Sequence, residues 1–311
     1  MIYAIGVEND PTLAHFVRGA VHAGAEVRVV GLRALAAGEW RLTIPDDGES
    51  VARAGPEEVA LDPDGAFFCR LIDLSVAMDA AATPRWAAML TALSAWLSEA
   101  PGLVVNRPGP GGHNSSKPLH EHLLAAAGLR VPPSVTSSDG ERLRAFADAE
   151  PAVVKAVSGV RAHARRVRPE EFDGFDPLAG PVHLQRLVEG HDARVHVVGD
   201  EVHGLEIRAT GLDYRRDMAD AAFAPWPVPD ELARTLVAAT RDLGLAFAGW
   251  DFKLAPGGEA WCLEANPMPG YDPYDRRLGS AITGALLRLM TGDRERRGDD
   301  GLRDRASAAV G

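Results

Sequence analysis

Short apolar runs alternate with amphipathic stretches along most of the chain. Residues 2–7 predict a buried strand, 11–23 an amphipathic helix and 26–31 a second strand, a β-α-β start with a short crossover. The polar, Pro- and Gly-rich stretch 45–65 predicts a loop or hairpin region. Residues 66–71 predict another buried strand, and 83–100 a helix with Trp86, Met89, Leu90, Leu93, Trp96 and Leu97 on its apolar face. Val104 and Val105 close this first unit. Residues 106–118 are crowded with Pro, Gly, Asn and Ser and predict a linker. Helices follow at 119–127 and 138–149, a lysine-bearing strand near 151–157, and a hairpin turning at Gly199-Asp200. A helix at 230–244 turns Leu232, Leu236, Val237 and Leu243 inward, and a last helix covers 281–290. Residues 292–311 alternate Arg with Asp and predict disorder.

The most informative pattern lies between these two helices. Apolar runs at 247–254 and 259–265 flank Ala255-Pro256-Gly257-Gly258, the pattern of a β-hairpin. Inside them sit Asp251, Glu264 and Asn266. A loop of all four residues sets Asp251 across from Cys262, beside Glu264. A loop of Gly257-Gly258 alone sets Asp251 directly against Glu264. Either register gathers three oxygen side chains on one face. Two carboxylates that close repel unless a cation lies between them, and an all-oxygen set suits Mg²⁺, with Mn²⁺ as an alternative. The competing reading is the polar outer face of an ordinary hairpin.

Other charges interrupt apolar surroundings. Lys155 stands in an apolar strand, a costly place without an anion, and a loop around Ser158 and Gly159 follows with Arg161 and His163. Lysine plus backbone N–H groups is one way to hold a polyphosphate; an edge-strand lysine that deters aggregation is the alternative. Arg194, in another apolar strand, demands a buried anion of its own. His113, His120 and His122 lack the further ligands a zinc site requires. The segment from Gly111 to Lys117 is not a Walker A loop, and no G-x-G-x-x-G follows the first strand.

Composition narrows the class. The 311 residues are 46% hydrophobic and 25% charged, as in a globular protein with room for two or three subdomains. A net charge of −11 argues against nucleic-acid binding but allows a local basic site. The chain starts directly in a strand-like run, holds no long apolar span and carries only Cys69 and Cys262, both in apolar runs. The expectation is a cytoplasmic protein with buried thiols and no membrane partner; a homo-oligomer is compatible with it.

An Asp on one strand followed by Leu-Glu-Ala-Asn-Pro on the next resembles the metal-binding end of the ATP-grasp superfamily, in the branch of the ribosomal-protein glutamate ligase and related peptide-modifying enzymes. Gln185-Arg-Leu-Val-Glu-Gly-His-Asp-Ala-Arg194-Val is similar to that family's hinge between lobes. The resemblance covers about residues 100–290 and implies an α/β fold: a pre-ATP-grasp domain over 1–106, a small ATP-grasp subdomain over 107–184, a C-terminal subdomain over 185–291 and a tail over 292–311. It implies a nucleotide site built from Lys117, Lys155, Ser158, Gly159, Arg161, Gln185, Arg186, Leu187, Val188, Asp192, Asp213 and Tyr214. Within it, backbone groups of Arg186 and Leu187 would hold adenine, and Asp192 would assist through the ribose. Lys117 would lie near the phosphates, although a simple helix-start lysine reads equally well. The phosphate loop departs from the family in keeping one glycine. Arg194 and Arg215 would offset charge on the transferring phosphoryl group, and Asp251, Glu264 and Asn266 would hold the metal. The implied activity is ADP-forming carboxylate–amine ligation on an amino acid or peptide. A precursor-peptide crosslinker and a nucleotide-binding module without turnover remain alternatives.

Overall fold

The computed structural model describes residues 1–43, 50–54, 57–74, 82–109, 112–158, 164–209, 211, 214–216 and 218–292. Gly159, Arg161, Asp213 and the tail beyond Gly292 therefore lie outside the described residues.

The first unit runs β1 (Ile2–Gly6), α1 (Pro11–His22), β2 (Val27–Gly31), α2 (Leu32–Ala37), β3 (Trp40–Arg41), β4 (Ser50–Ala54), β5 (Glu57–Leu61), β6 (Ala66–Arg70), α3 (Ala82–Glu99) and β7 (Val104–Val105). Strands β2-β1-β6-β7 form a parallel sheet, as the β-α-β pattern requires. Pro11 at the first helical position and Asp10, which accepts from the Thr12 amide at 3.1 Å, start α1. Within the stretch expected as a loop or hairpin, β4 and β5 pair as a hairpin, and β3 extends it to an antiparallel β3-β4-β5 sheet. Its strands are too short and polar to show a clear period of two.

The middle unit comprises α4 (Lys117–Ala126), β8 (Ser134–Ser137), α5 (Gly140–Ala149), β9 (Ala152–Lys155), β10 (Arg165–Val167) and β11 (Val182–Arg186). Its antiparallel sheet has the order β10-β9-β11-β8, so Lys155 is on an inner strand and the edge-strand reading of that lysine falls. Helix α4 starts two residues before the predicted position, which makes Lys117 its first residue.

The last unit comprises β12 (His191–Val198), β13 (Glu201–Arg208), β14 (Ala222–Pro225), α6 (Asp230–Asp242), β15 (Phe247–Leu254), β16 (Ala260–Asn266), α7 (Asp272–Asp275) and α8 (Ala281–Thr291). The sheet order is β14-β13-β12-β15-β16, all antiparallel. Glycine is required where β11 turns into β12: Gly190 has φ +140°, and a Cβ there would overlap the Leu254 carbonyl.

One core joins α1, β1 and β6 to β12, β13, β15 and α8, burying Phe16, Phe68, Phe247, Tyr271, Ile282 and Leu286 together. Each such side chain contributes about 1.5–3 kcal/mol on burial, so the first and last units are held as one body. A second core fills the first unit around Trp86, Trp96 and Phe67; a third lies under β12, β15 and α6; a fourth lies between α5 and β9–β11. No helix among the described residues is long and apolar enough to cross a membrane.

Asn106 and Arg107 turn the predicted linker into a joint. Asn106 Oδ1 accepts the amides of Ala246 and Phe247, both at 2.9 Å, and its Nδ2 donates to the carbonyls of Phe247 and Pro267. Arg107 closes the end of α3 by donating to the Leu97, Ser98, Ala100 and Gly102 carbonyls.

Candidate active site

The site begins with the hairpin β15–β16. The loop is closed by the Ala255 amide on the Glu259 carbonyl at 2.9 Å, and Leu254 pairs with Ala260, Lys253 with Trp261 and Phe252 with Cys262. A bulge between Asp251 and Phe252 then skips Leu263, so that Asp251 faces Glu264 and Gly249 faces Asn266. Neither predicted register holds over the whole hairpin. Without the bulge, Glu264 would share the face of Cys262, which is fully buried in apolar surroundings. The bulge turns it to the side of Asp251.

Strand β12 brings the cations. Arg194 is the register partner of Asp251, and its Nη1 lies 2.7 Å from Asp251 Oδ1. Arg215, in a short turn at Tyr214–Arg216, puts Nη2 2.7 Å from Asp251 Oδ2. Burial pushes the Asp251 carboxyl up, but Arg194 and Arg215 outweigh it and hold the group below the usual carboxylate range. Arg194 is buried too; the desolvation that opposes its charge is overcome by Asp251, and its pKa moves up. The absence of a side chain at Gly249 makes room for this arginine: a Cβ there would overlap Nη2 of Arg194 and the Pro269 ring. The guanidinium of Arg194 also lies 5.5 Å from the centre of the Tyr274 ring, and Tyr274 Oη is 2.8 Å from Tyr214 Oη.

The middle unit closes over this face. Lys117 Nζ is 3.3 Å from Glu264 Oε1, and its side chain is only 15% exposed, unlike an ordinary helix-start lysine. Three residues on, His120 accepts the Ala265 amide at 2.9 Å through Nε2. That bond occupies a histidine which the zinc reading had weighed. Lys155 Nζ donates to Gln185 Oε1 at 2.5 Å. Desolvation lowers the Lys155 pKa, with Lys117 adding to the fall and Glu121, Glu264 and Asp251 opposing it. Ser158 pairs with Ser116 across an isolated bridge, and the Lys117 amide donates to the Val157 carbonyl at 2.9 Å, so the loop after β9 is tied to the start of α4.

The predicted hinge residues divide. Arg186 and Leu187 donate their amides to the carbonyls of Pro133 and Pro151 at 2.8 and 2.7 Å, so these two N–H groups, expected to face adenine, are already engaged within the protein. Arg186 stacks its guanidinium on Trp261 at 4.2 Å, and Val188 is buried. Asp192 is held by Lys253 at 2.9 Å; burial raises its pKa and Lys253 opposes the rise.

The structure thus gathers Lys117, Lys155, Arg194, Arg215, Asp251 and Glu264 about one face of β12, β15 and β16. Each carboxylate meets protein cations of its own, arginines on Asp251 and a lysine on Glu264. Among the described residues no cluster of three or more His, Cys, Asp or Glu is arranged for a metal. The donor set nevertheless fits a hard divalent ion. Asp251, Glu264 and Asn266 supply oxygen only, and Asp251 Oδ1 is buried without an aligned hydrogen bond despite its ion pair. Asn266 Oδ1 accepts from the Met268 amide at 2.8 Å and keeps a lone pair.

Asn106, Glu121, Gly249 and Tyr274 escaped the sequence reading, which weighed His120 only as a zinc ligand. The i, i+3, i+4 spacing of Lys117, His120 and Glu121 was the available signal for His120 and Glu121.

No family profile matches the sequence, and no curated protein does. Solved structures match over nearly the whole chain. The macrocyclase MdnC from Microcystis aeruginosa MRC, bound with precursor peptide MdnA, superposes with a TM-score of 0.80 at 17% identity, covering 94% of this chain and 100% of its own. The ATP-grasp ligase PsnB, complexed with minimal precursor, gives 0.74 at 25% identity, covering 93% and 99%; PsnB is also known complexed with Mg and ADP. The VanG D-Ala:D-Ser ligase from Enterococcus faecalis gives 0.57 at 17% identity, covering 93% and 98%.

Proposed function

The chain being an ATP-grasp protein by fold, we propose that it is an ATP- and Mg²⁺-dependent ligase that joins a carboxylate to an amine, releasing ADP and orthophosphate, with a peptide as substrate. The observation that carries the reading is the convergence of Lys117, Lys155, Arg194 and Arg215 on a face that also bears Asp251, Glu264 and Asn266. Such a face suits a polyphosphate with its metal. The peptide is favoured because the structures complexed with precursor peptides superpose at 0.72–0.80, against 0.57 for the ligase of D-Ala and D-Ser.

In this scheme a carboxylate oxygen of the substrate attacks the γ-phosphorus, the bond to the β-phosphate oxygen breaks, and ADP leaves. The amine then attacks the acyl carbon, and orthophosphate departs with the electron pair of the C–O bond as the amine gives up a proton. Asp251, Glu264 and Asn266 would hold Mg²⁺, whose chemistry is charge neutralisation on the phosphate oxygens. Lys155 and Arg194 bind and orient the transferring group, and Arg215, 47% exposed, covers it from solvent. Charge on all these groups falls at the phosphate end of the nucleotide. No protein nucleophile is required.

The test uses a substrate carboxylate labelled with ¹⁸O. Label is expected in orthophosphate, in step with ADP and product. Label in AMP would overturn the acyl-phosphate route, and absence of ADP release with every peptide and amino acid acceptor offered would favour a nucleotide-binding module without turnover.

A further inference from the structure

Glu121 is a buried charge that the proposed ligation does not use. It lies on α4 one turn after Lys117, on the side facing β8 and β11. Its Oε1 accepts from Gln185 Nε2 at 2.7 Å and lies 3.1 Å from His183 Nε2; its Oε2 accepts from the Ser134 hydroxyl at 2.5 Å. His183 Nδ1 is in turn 2.8 Å from Thr136 Oγ1. Burial alone would drive Glu121 toward its neutral form, but His183, Ser134 and Lys155 outweigh it and hold the carboxyl below its usual range. Beyond Gln185 the chain of bonds ends on Lys155, whose ammonium donates to Gln185 Oε1.

The direction of this chain is set by elementary chemistry. An ionised carboxylate only accepts hydrogen bonds, and an ammonium only donates them. The amide of Gln185, 1% exposed and lying between the two, satisfies both in a single orientation, NH₂ toward Glu121 and oxygen toward Lys155. Flipped by half a turn, it would set NH₂ against an ammonium and oxygen against a carboxylate. We propose that Glu121 is a positioning residue, its carboxylate locking the Gln185 amide so that the amide oxygen aims the Lys155 ammonium into the cleft. The proposal rests on the reading of that cleft as a nucleotide site. It adds that the site is aimed from outside, by a carboxylate on the far side of Gln185 that touches no phosphate.

Glu121→Gln preserves shape but gives position 121 an NH₂ of its own, so that side no longer rejects the flipped Gln185 amide, only the Lys155 ammonium itself still opposes the flip, and the acceptor of Lys155 is less firmly fixed. The experiment is calorimetric titration of ADP, in the presence of MgCl₂, into the full chain, Glu121→Gln, Lys155→Ala and the double variant. Lys155→Ala is expected to weaken ADP about tenfold or more, and Glu121→Gln about five- to tenfold. The double variant is expected to be no weaker than Lys155→Ala by more than about twofold, because a residue acting through Lys155 has nothing left to act on. A Glu121→Gln effect of equal size with and without Lys155 overturns the proposal, since it shows an independent structural role; so does unchanged affinity in Glu121→Gln. Unchanged affinity in Lys155→Ala overturns the nucleotide reading of the cleft and the proposal with it, which separates the two failures. If Glu121→Gln does not fold, Gln185→Met, which keeps the volume and removes the amide, goes through the same cycle with the same expected non-additivity.

Discussion

At the scale of single residues, the site is a set of charges placed where desolvation would forbid them singly. Asp251 is tolerable because Arg194 and Arg215 flank it, and Arg194 because Gly249 leaves it space. Glu264, with a side chain 30% exposed and one lysine contact, is the carboxylate freest to meet a ligand. Glu264→Gln keeps the size and removes the charge. The expected outcome is loss of most turnover, on the order of a hundredfold, with the thermal midpoint little changed because a partly exposed pair contributes only about 0–1 kcal/mol. Near-normal turnover at limiting Mg²⁺ would remove Glu264 from the metal set. These residues were legible in the sequence because a charge inside an apolar run is conspicuous. Glu121 was not, and His120 was weighed only as a zinc ligand, since on a helix a polar residue's partner is hidden until the opposing surface is known.

At the scale of elements, strand parity decided what the sequence could and could not reveal. The hairpin and its three oxygen side chains were foreseen, but no residue type at 263 marks a bulge, so the register could only be stated as alternatives. The β4-β5 hairpin was foreseen only as an alternative to a loop, and its extension by β3 was missed, for a related reason: these strands lack a consistent apolar face. The joint at Asn106 shows the opposite failing, of reading turn-rich composition as slack. One amide there satisfies two amides and two carbonyls that the sheet leaves open. Asn106→Ala strips partners from part-buried backbone groups and is expected to cost about 2–4 kcal/mol by chemical denaturation. A cost below about 1 kcal/mol would mean that water replaces the side chain and that the joint is not structural.

At the scale of the whole molecule, the β-α-β start was legible in the periodicity and the order of the later units was an expectation from the family resemblance, whereas the packing of the first unit on the last was legible in neither. That contact is made by α1 and α8 through side chains that any amphipathic helix could carry. Within the last unit, His196 of β12 is fully buried, its ring against Phe247 and Tyr274. Burial, then the neighbouring Arg194, push its pKa well below the ordinary histidine value; burial lowers His203 as well. The unfolded chain therefore binds more protons than the native one at pH values below about 6.5, so stability falls as the pH drops through that value. The thermal midpoint is expected to decline between about pH 7.5 and pH 5.5, and to decline less in His196→Phe. An equal decline in both proteins would assign the acid sensitivity elsewhere.

Helix α4 has a consequence for which insertions and deletions the chain tolerates. Lys117 and His120 reach Glu264 and the Ala265 amide on one sheet, while Glu121 reaches Gln185 on another, all within about one turn. Adding one residue at 118 or 119 would rotate everything after it by about 100° relative to Lys117, so the helix could keep Lys117 on Glu264 or keep His120 and Glu121 on their partners, but not both. The loop at 255–259 carries no such phase, because its length shifts neither the bulge nor the residues beyond it. Length variation is therefore expected to be accepted at the hairpin tip and rejected inside two residues of α4, a stretch with no catalytic side chain of its own.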